Sequence, residues 1–99
     1  MNKFFFTIRA KQDLEEIWDY IADDSIDAAD RVIADIYGAV EALADVPGMG
    51  HSREDLADEK LRVWAVYSYL IVYRAEQSPI EIVRVVSGYR DLFAFFADN

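Results

Sequence analysis

The sequence predicts a single α+β domain, residues 1–99, in which an antiparallel helical hairpin packs on a twisted antiparallel sheet of three to four strands. Three observations support this prediction. Apolar residues recur every three or four positions up to residue 45, Pro47 and Gly50 then interrupt the pattern, and segments rich in Val, Ile and Tyr follow from residue 61. These later segments lie too close in sequence for helical crossovers, which favours an antiparallel meander.

The first elements are a strand and a helix. Residues 4–6 are aromatic and predict an N-terminal strand, and the hydroxyl of Thr7 is suited to cap a helix that begins near Ile8. The acidic residues of this helix, Asp13 among them, are predicted to point mostly toward water. Its apolar face consists of residues spaced by three and four: Ala10, Leu14, Ile17, Trp18 and Ile21.

A second, longer helix is predicted from Ile26 to Asp45, with Asp24 or Ser25 as its N-cap. Both helices have a single apolar face, and the short connection between them makes them antiparallel neighbours. A loop then extends to Lys60, and the glycines at its start are interpreted as turn formers.

Three strands are predicted in the second half of the chain, at Leu61–Ala65, Tyr69–Ala75 and Ile80–Ser87. The middle strand is apolar on both faces, which indicates a central strand that is covered on both sides. A short C-terminal helix is predicted for residues 91–97.

The net charge of −9 constrains the partners of this domain. Residues 1–49 contain eleven acidic and four basic side chains, so binding to nucleic acid by the chain alone is disfavoured. The absence of cysteine suits a reducing cytoplasm. No signal peptide and no membrane-spanning segment is expected. The chain also lacks cysteine and histidine pairs for a metal and a glycine-rich phosphate loop, so no metal and no cofactor is expected.

The ordered residues along the chain resemble the ParE/RelE superfamily of toxins from bacterial type II toxin–antitoxin systems, and most closely its ParE branch. The resemblance covers nearly the whole sequence. The matching segments are Phe6-Thr7, Asp13-Leu14-Glu15-Glu16-Ile17, Ala28-Ala29-Asp30-Arg31, Met49-Gly50, Arg53, Arg62-Val63, Tyr69 to Arg74, and Arg84-Val85-Val86 with Gly88 and Arg90-Asp91.

This resemblance implies a cytoplasmic bacterial toxin that causes growth arrest and serves in plasmid stabilization. It implies a hetero-oligomer with a cognate antitoxin, a ParD-like ribbon-helix-helix protein whose C-terminal tail wraps the toxin. ParE-like toxins are associated with inhibition of DNA gyrase, so the expected activity is protein–protein binding without chemistry. We expect the face of the sheet opposite the helices to bind the partner.

Two alternatives stay open. A ribosome-dependent mRNA endoribonuclease of RelE type would use Arg62, Arg84, Tyr89 and Arg90 around the phosphate. Its general acid–base is hard to identify, because the single histidine, His51, lies in a loop and is expected to be simply exposed. A toxin-fold protein without toxicity, serving only as a binding module, is the other alternative.

The predicted partner-binding residues fall into two groups. The polar contacts are Arg53, Arg62, Arg84 and Arg90, and the apolar contacts are Leu92, Phe93, Phe95 and Phe96. A short helix buries only one face against its own domain, so some of the four apolar residues are left for a partner groove. That partner would be an amphipathic, basic tail. For the arginines a structural role is favoured, since nineteen carboxylates are available to pair with them.

Overall fold

A computed structural model describes residues 3–52 and 60–88 of the 99-residue chain. Within these residues the chain forms two α-helices, one short 3-10 helix and five strands. Their bounds are β1 (Phe4–Phe6), α1 (Ile8–Ala22), α2 (Ile26–Asp45), the 3-10 helix (Pro47–Met49), β2 (His51–Ser52), β3 (Leu61–Val66), β4 (Tyr69–Arg74) and β5 (Ile80–Ser87). The predicted α+β architecture is confirmed. The predicted C-terminal helix lies outside the described residues.

Side-chain caps fix both helix starts. The Thr7 hydroxyl accepts a hydrogen bond from the Ala10 N–H at 3.0 Å, and the Ser25 hydroxyl accepts one from the Ala28 N–H at 3.1 Å. Each cap satisfies a backbone donor that the first helical turn cannot pair internally. The predicted N-termini of both helices are therefore confirmed, and for α2 the cap is Ser25.

The described strands form one sheet in the order β1-β5-β4-β3-β2. The pairs β5–β4 and β4–β3 are antiparallel, as expected. The pair β3–β2 is also antiparallel, whereas β1 pairs with β5 in parallel. The helical hairpin between β1 and the rest of the sheet supplies the long connection that a parallel strand requires. The two-residue strand β2 was not predicted, because so short a segment has no recognisable alternation.

An irregularity in the β4–β5 register affects Arg84, one of the predicted partner-binding residues. Val72 pairs with Arg84 but its neighbour Tyr73 pairs with Ile82, so Val83 is an extra residue on β5. An extra residue of this kind, a β-bulge, changes the direction in which neighbouring side chains point. Arg84 contacts the helical layer, although its partner Val72 belongs to the cluster on the other face.

The core consists of two clusters separated by the sheet. The larger cluster lies between the helices and the sheet and contains Leu14, Ile17, Ile36, Val40, Leu43, Ile71, Tyr73, Ile80 and Ile82 among others. The second contains Leu61, Val63, Leu70, Val72 and Val86. Because residues 70 to 73 alternate between the two clusters and are each at most 5% exposed, β4 is the central, doubly covered strand that was predicted.

None of the helices among the described residues is long and apolar enough to cross a bilayer.

Candidate partner-binding surface

Of the predicted site residues, the structure describes only Arg62 and Arg84. Both guanidinium groups bind atoms of the chain itself. Arg62 donates from Nη1 to the carbonyl oxygen of Gly50 at 2.8 Å, and Arg84 binds the carboxylate of Asp13. The other predicted residues lie outside the described residues: Arg53, Tyr89, Arg90, Leu92, Phe93, Phe95 and Phe96. Their roles stay predictions.

Asp13 is the centre of the strongest polar contact described. Its Oδ2 accepts from Arg84 Nε at 2.7 Å and from the Val85 N–H at 2.9 Å, while Oδ1 accepts from Arg84 Nη2 at 2.9 Å. The residue is 4% exposed, so the prediction that it points toward water is wrong. The spacing of Asp13 indicated that it is buried, because position 13 is three residues after Ala10 and four before Ile17, on the apolar face of α1.

A second polar network holds the loop after α2 against the sheet. The Tyr73 hydroxyl donates to the carbonyl oxygen of Pro47 at 2.7 Å and accepts from the Gly50 N–H at 2.9 Å. Burial raises the pKa of the Tyr73 phenol, and the Gly50 N–H and Arg62 offset part of that rise. The phenol therefore stays protonated at neutral pH, as its donation to Pro47 requires.

Gly50 is needed for close approach. Its φ of −72° is accessible to any residue, but a Cβ there would lie 2.2 Å from the Tyr73 hydroxyl oxygen. His51, the next residue, is exposed as expected, and its ring stacks on Trp64 with centroids 6.0 Å apart. These contacts join the end of α2 to the edge of the sheet, so Gly50 and His51 have structural roles.

The expectation that the second face of the sheet is free for a partner is wrong at its centre. Leu61, Val63, Leu70, Val72 and Val86 are 0–5% exposed in the chain by itself. Side chains buried to this degree within their own protein offer no open groove to another polypeptide. A binding surface among the described residues must therefore lie at the periphery of the sheet or on the helices.

One such surface is the edge strand β1, which sequence reasoning did not identify. Lys3 accepts from the Ile80 N–H and Thr7 donates to the Ile82 carbonyl. In a parallel pair the backbone groups of alternate residues face the neighbour, so those of Phe4 and Phe6 point away from β5. In the described part of the chain no strand pairs with this outer side. The sequence signal for this surface was the predicted N-terminal strand, because a strand that pairs on only one side forms an edge of the sheet.

Apolar side chains flank this edge. Phe5 is 40% exposed, Ile8 is 77% exposed, and Tyr37 is 40% exposed and packs its ring 5.2 Å from that of Phe6. An open cleft of about 400 Å³ at Lys3 is lined by the end of α2 and the β4–β5 turn and by none of these apolar side chains. Large apolar side chains beside unpaired backbone groups are suited to an extended peptide, and we define the β1 edge surface as β1 with Ile8 and Tyr37.

Comparisons with known proteins agree on one family. A sequence model described as the ParE toxin of the type II toxin–antitoxin system, parDE, matches residues 4–92. The chain is 39% identical to Y4kP of Sinorhizobium fredii over 85 residues, which cover 86% of each protein. It is 31% identical to Toxin ParE1 of Caulobacter vibrioides over 87 residues, covering 87% of this chain and 88% of that toxin.

The fold has a counterpart among solved structures. A chain of the chromosomal ParDE toxin–antitoxin system from P. aeruginosa superposes with a TM-score of 0.72 at 23% sequence identity. The match covers 89% of this chain and 97% of that one. At this identity the superposition supports the fold alone.

Proposed function

The chain belongs to the ParE toxin family of type II toxin–antitoxin systems, and from this premise we propose that it inhibits DNA gyrase by protein–protein binding and is neutralised by a cognate antitoxin. The open β1 edge supports the proposed binding of an antitoxin. The proposed inhibition of gyrase is supported by the family resemblance and by the contacts of the arginines, which disfavour the ribonuclease alternative.

The β1 edge surface is suited to a neutralising tail. An extended segment that adds a strand to a sheet edge gains main-chain hydrogen bonds, and its side chains reach pockets on both faces. Here such a segment would meet the outward backbone groups of Phe4 and Phe6, with Phe5 on one side and Tyr37 on the other. The net charge of −9 favours a basic tail, as the sequence suggested.

The hydrogen bonds of Arg84 disfavour the ribonuclease alternative. The Arg84 guanidinium makes two hydrogen bonds to Asp13, and its side chain is 16% exposed. Contact with an RNA phosphate would require this buried pair to separate, which leaves the Asp13 carboxylate buried beside the phosphate. The acidic surface adds repulsion toward a nucleic acid.

Expression of the chain without its antitoxin is expected to arrest bacterial growth while mRNA stays intact. A gyrase inhibitor blocks DNA supercoiling, so plasmid topology should change and the DNA-damage response should be induced. Primer-extension mapping of transcripts and supercoiling assays with purified gyrase measure the two effects. Co-expression of the antitoxin is the control and should restore growth. Cleaved transcripts would identify a ribonuclease, and normal growth at confirmed expression would identify the non-toxic binding module.

The antitoxin site is tested by Ile8→Asp. Ile8 is 77% exposed at the first position of α1, where a carboxylate interacts favourably with the helix dipole, so stability should be retained. A charge beside the β1 edge should weaken antitoxin binding about tenfold or more. Isothermal titration calorimetry with the purified antitoxin measures this.

Ile26→Asp is the matched control for Ile8→Asp. Ile26 is also the first residue of a helix and is 60% exposed, but it begins α2. The control should bind the antitoxin like the original chain. Equal affinities of all three proteins would place the antitoxin elsewhere.

A further inference from the structure

Three exposed residues of α2 form a row that runs alongside β1. The ring of Tyr37 packs on that of Phe6 at the end of β1, with centroids 5.2 Å apart. Eight residues later, Asp45 accepts a hydrogen bond at 2.6 Å from Lys3, which directly precedes β1. Residues four apart lie on the same side of a helix, so Glu41 lies between these two contacts. We define the α2 row as Tyr37, Glu41 and Asp45.

Glu41 is the member of this row whose charge is not used within the chain. Tyr37 packs on Phe6 and Asp45 binds Lys3. The Glu41 side chain is exposed and makes no hydrogen bond or ion pair with any residue of segments 3–52 and 60–88. Its carboxylate is therefore available to a molecule that binds beside β1.

A strand added to β1 would stay in step with the α2 row. Such a strand directs every second side chain to the helical layer, and these side chains are about 6.6 Å apart. Neighbouring members of the α2 row are four residues apart, which corresponds to about 6 Å along the helix axis. Over the whole row the two spacings differ by only about 1 Å. Three successive helix-facing side chains of the added strand would therefore each lie opposite one member of the row.

We propose that the segment that binds the β1 edge surface carries basic side chains at alternate positions, and that Glu41 selects them. This inference rests on the proposed function, because it concerns the tail that would neutralise the toxin. Lysine and arginine have long side chains that reach from an added strand toward α2, and their charge is complementary to that of Glu41 and Asp45. The residues between them would be apolar and would face Phe5, which is 40% exposed.

The two carboxylates of the α2 row differ in what they offer. Asp45 lines the open cleft of about 400 Å³ beside Lys3, so a side chain opposite Asp45 has room. Lys3 already neutralises this carboxylate, however. We therefore expect the requirement for a basic side chain to be strongest opposite Glu41.

A strand-forming peptide tests the proposal. The probe is a fluorescein-labelled peptide of about ten residues in which lysine and valine alternate. It is titrated with the full chain by fluorescence anisotropy at about 150 mM salt, where charges more than about 8 Å apart are largely screened. Glu41→Lys should bind the probe about fivefold more weakly, because attraction is replaced by repulsion. Glu41→Gln removes only the charge and should give an intermediate loss. Lysine and glutamine are good helix formers, and circular dichroism verifies the fold.

Glu15→Lys is the matched control, because it makes the same change of charge at another exposed helix position. Glu15 is seven residues after Ile8, or about 10 Å along α1, and it too makes no hydrogen bond or ion pair with the described part of the chain. This variant should bind the probe within about twofold of the original chain. Equal losses in Glu41→Lys and Glu15→Lys, or no loss in either, would show attraction to the net negative charge without selection by Glu41 and overturn the proposal.

Backbone methylation of the probe distinguishes a failure of this inference from a failure of the proposed function. Alternate N–H groups of an added strand face β1, so of two probes, N-methylated at the lysines or at the valines, at least one should lose binding. If it does, while Glu41→Lys binds like Glu15→Lys, the strand is added at β1 but Glu41 does not select it. If both methylated probes bind like the original probe, no strand is added, and the proposed antitoxin site fails together with this inference.

Discussion

Replacement of Asp13 by alanine is expected to destabilise the fold by about 3–5 kcal/mol. The change removes the three hydrogen bonds that the carboxylate accepts from Arg84 and Val85. It leaves the guanidinium in a site where its side chain is only 16% exposed, and it leaves the Val85 N–H buried without its acceptor. Urea denaturation followed by circular dichroism measures the free energy of unfolding.

Asp45→Ala provides the comparison for Asp13→Ala. Asp45 also accepts a charged hydrogen bond, from Lys3 at 2.6 Å, but the two side chains are 58% and 67% exposed. An exposed pair of this kind contributes little to stability, because solvent screens it, so this variant should unfold nearly like the original. Similar losses in the two variants would contradict the assignment of Asp13 as a buried anchor.

Gly50→Ala is expected to destabilise the protein by about 2–4 kcal/mol through overpacking and lost hydrogen bonding. The new methyl group would lie 2.2 Å from the hydroxyl oxygen of Tyr73, a side chain that is fully buried. The phenol would have to move, and its hydrogen bonds to Pro47 and Gly50 would break. Thermal and urea unfolding of the purified variant measure the loss.

Gly48→Ala is the control for Gly50→Ala, because the two glycines are in the same loop. A Cβ at Gly48 has no atom within 4 Å, so the free energy of unfolding should change by no more than about 0.5 kcal/mol. If Gly50→Ala proved as mild as Gly48→Ala, the close packing of Tyr73 on this loop would be refuted.

Local signals in the sequence predicted most of the fold. The helix starts depend on Thr7 and Ser25, whose hydroxyls cap the residues that follow them, and such a contact spans only a few positions. The central position of β4 followed from its apolar residues on both faces. Structural features that depend only on residues within one segment can be predicted from the sequence of that segment.

Features determined between distant segments were not predicted. Asp13 is buried because Arg84 lies opposite, 71 residues later, and a β-bulge turns that side chain toward α1. Residue composition alone assigned Asp13 to the solvent, although its spacing placed it on the apolar face. The parallel pairing of β1 depends in the same way on β5, at the far end of the described chain.

The candidate site was predicted less well than the fold. The sequence pointed to the second face of the sheet, because helices cover only one face, but Leu70 and Val72 are buried there. It missed the β1 edge, since strand order is a property of the whole sheet.

The pairing of β1 with β5 has a consequence for biosynthesis. Phe4 pairs with Ile80, so 76 residues separate the two partners, and closing so long a loop is slow relative to forming the helical hairpin. A nascent chain emerging from the ribosome has no strand on which its first segment can settle until residues 80–82 have also been translated. The outer edge of β1 therefore forms only after both helices and the other strands of the described sheet have been synthesised.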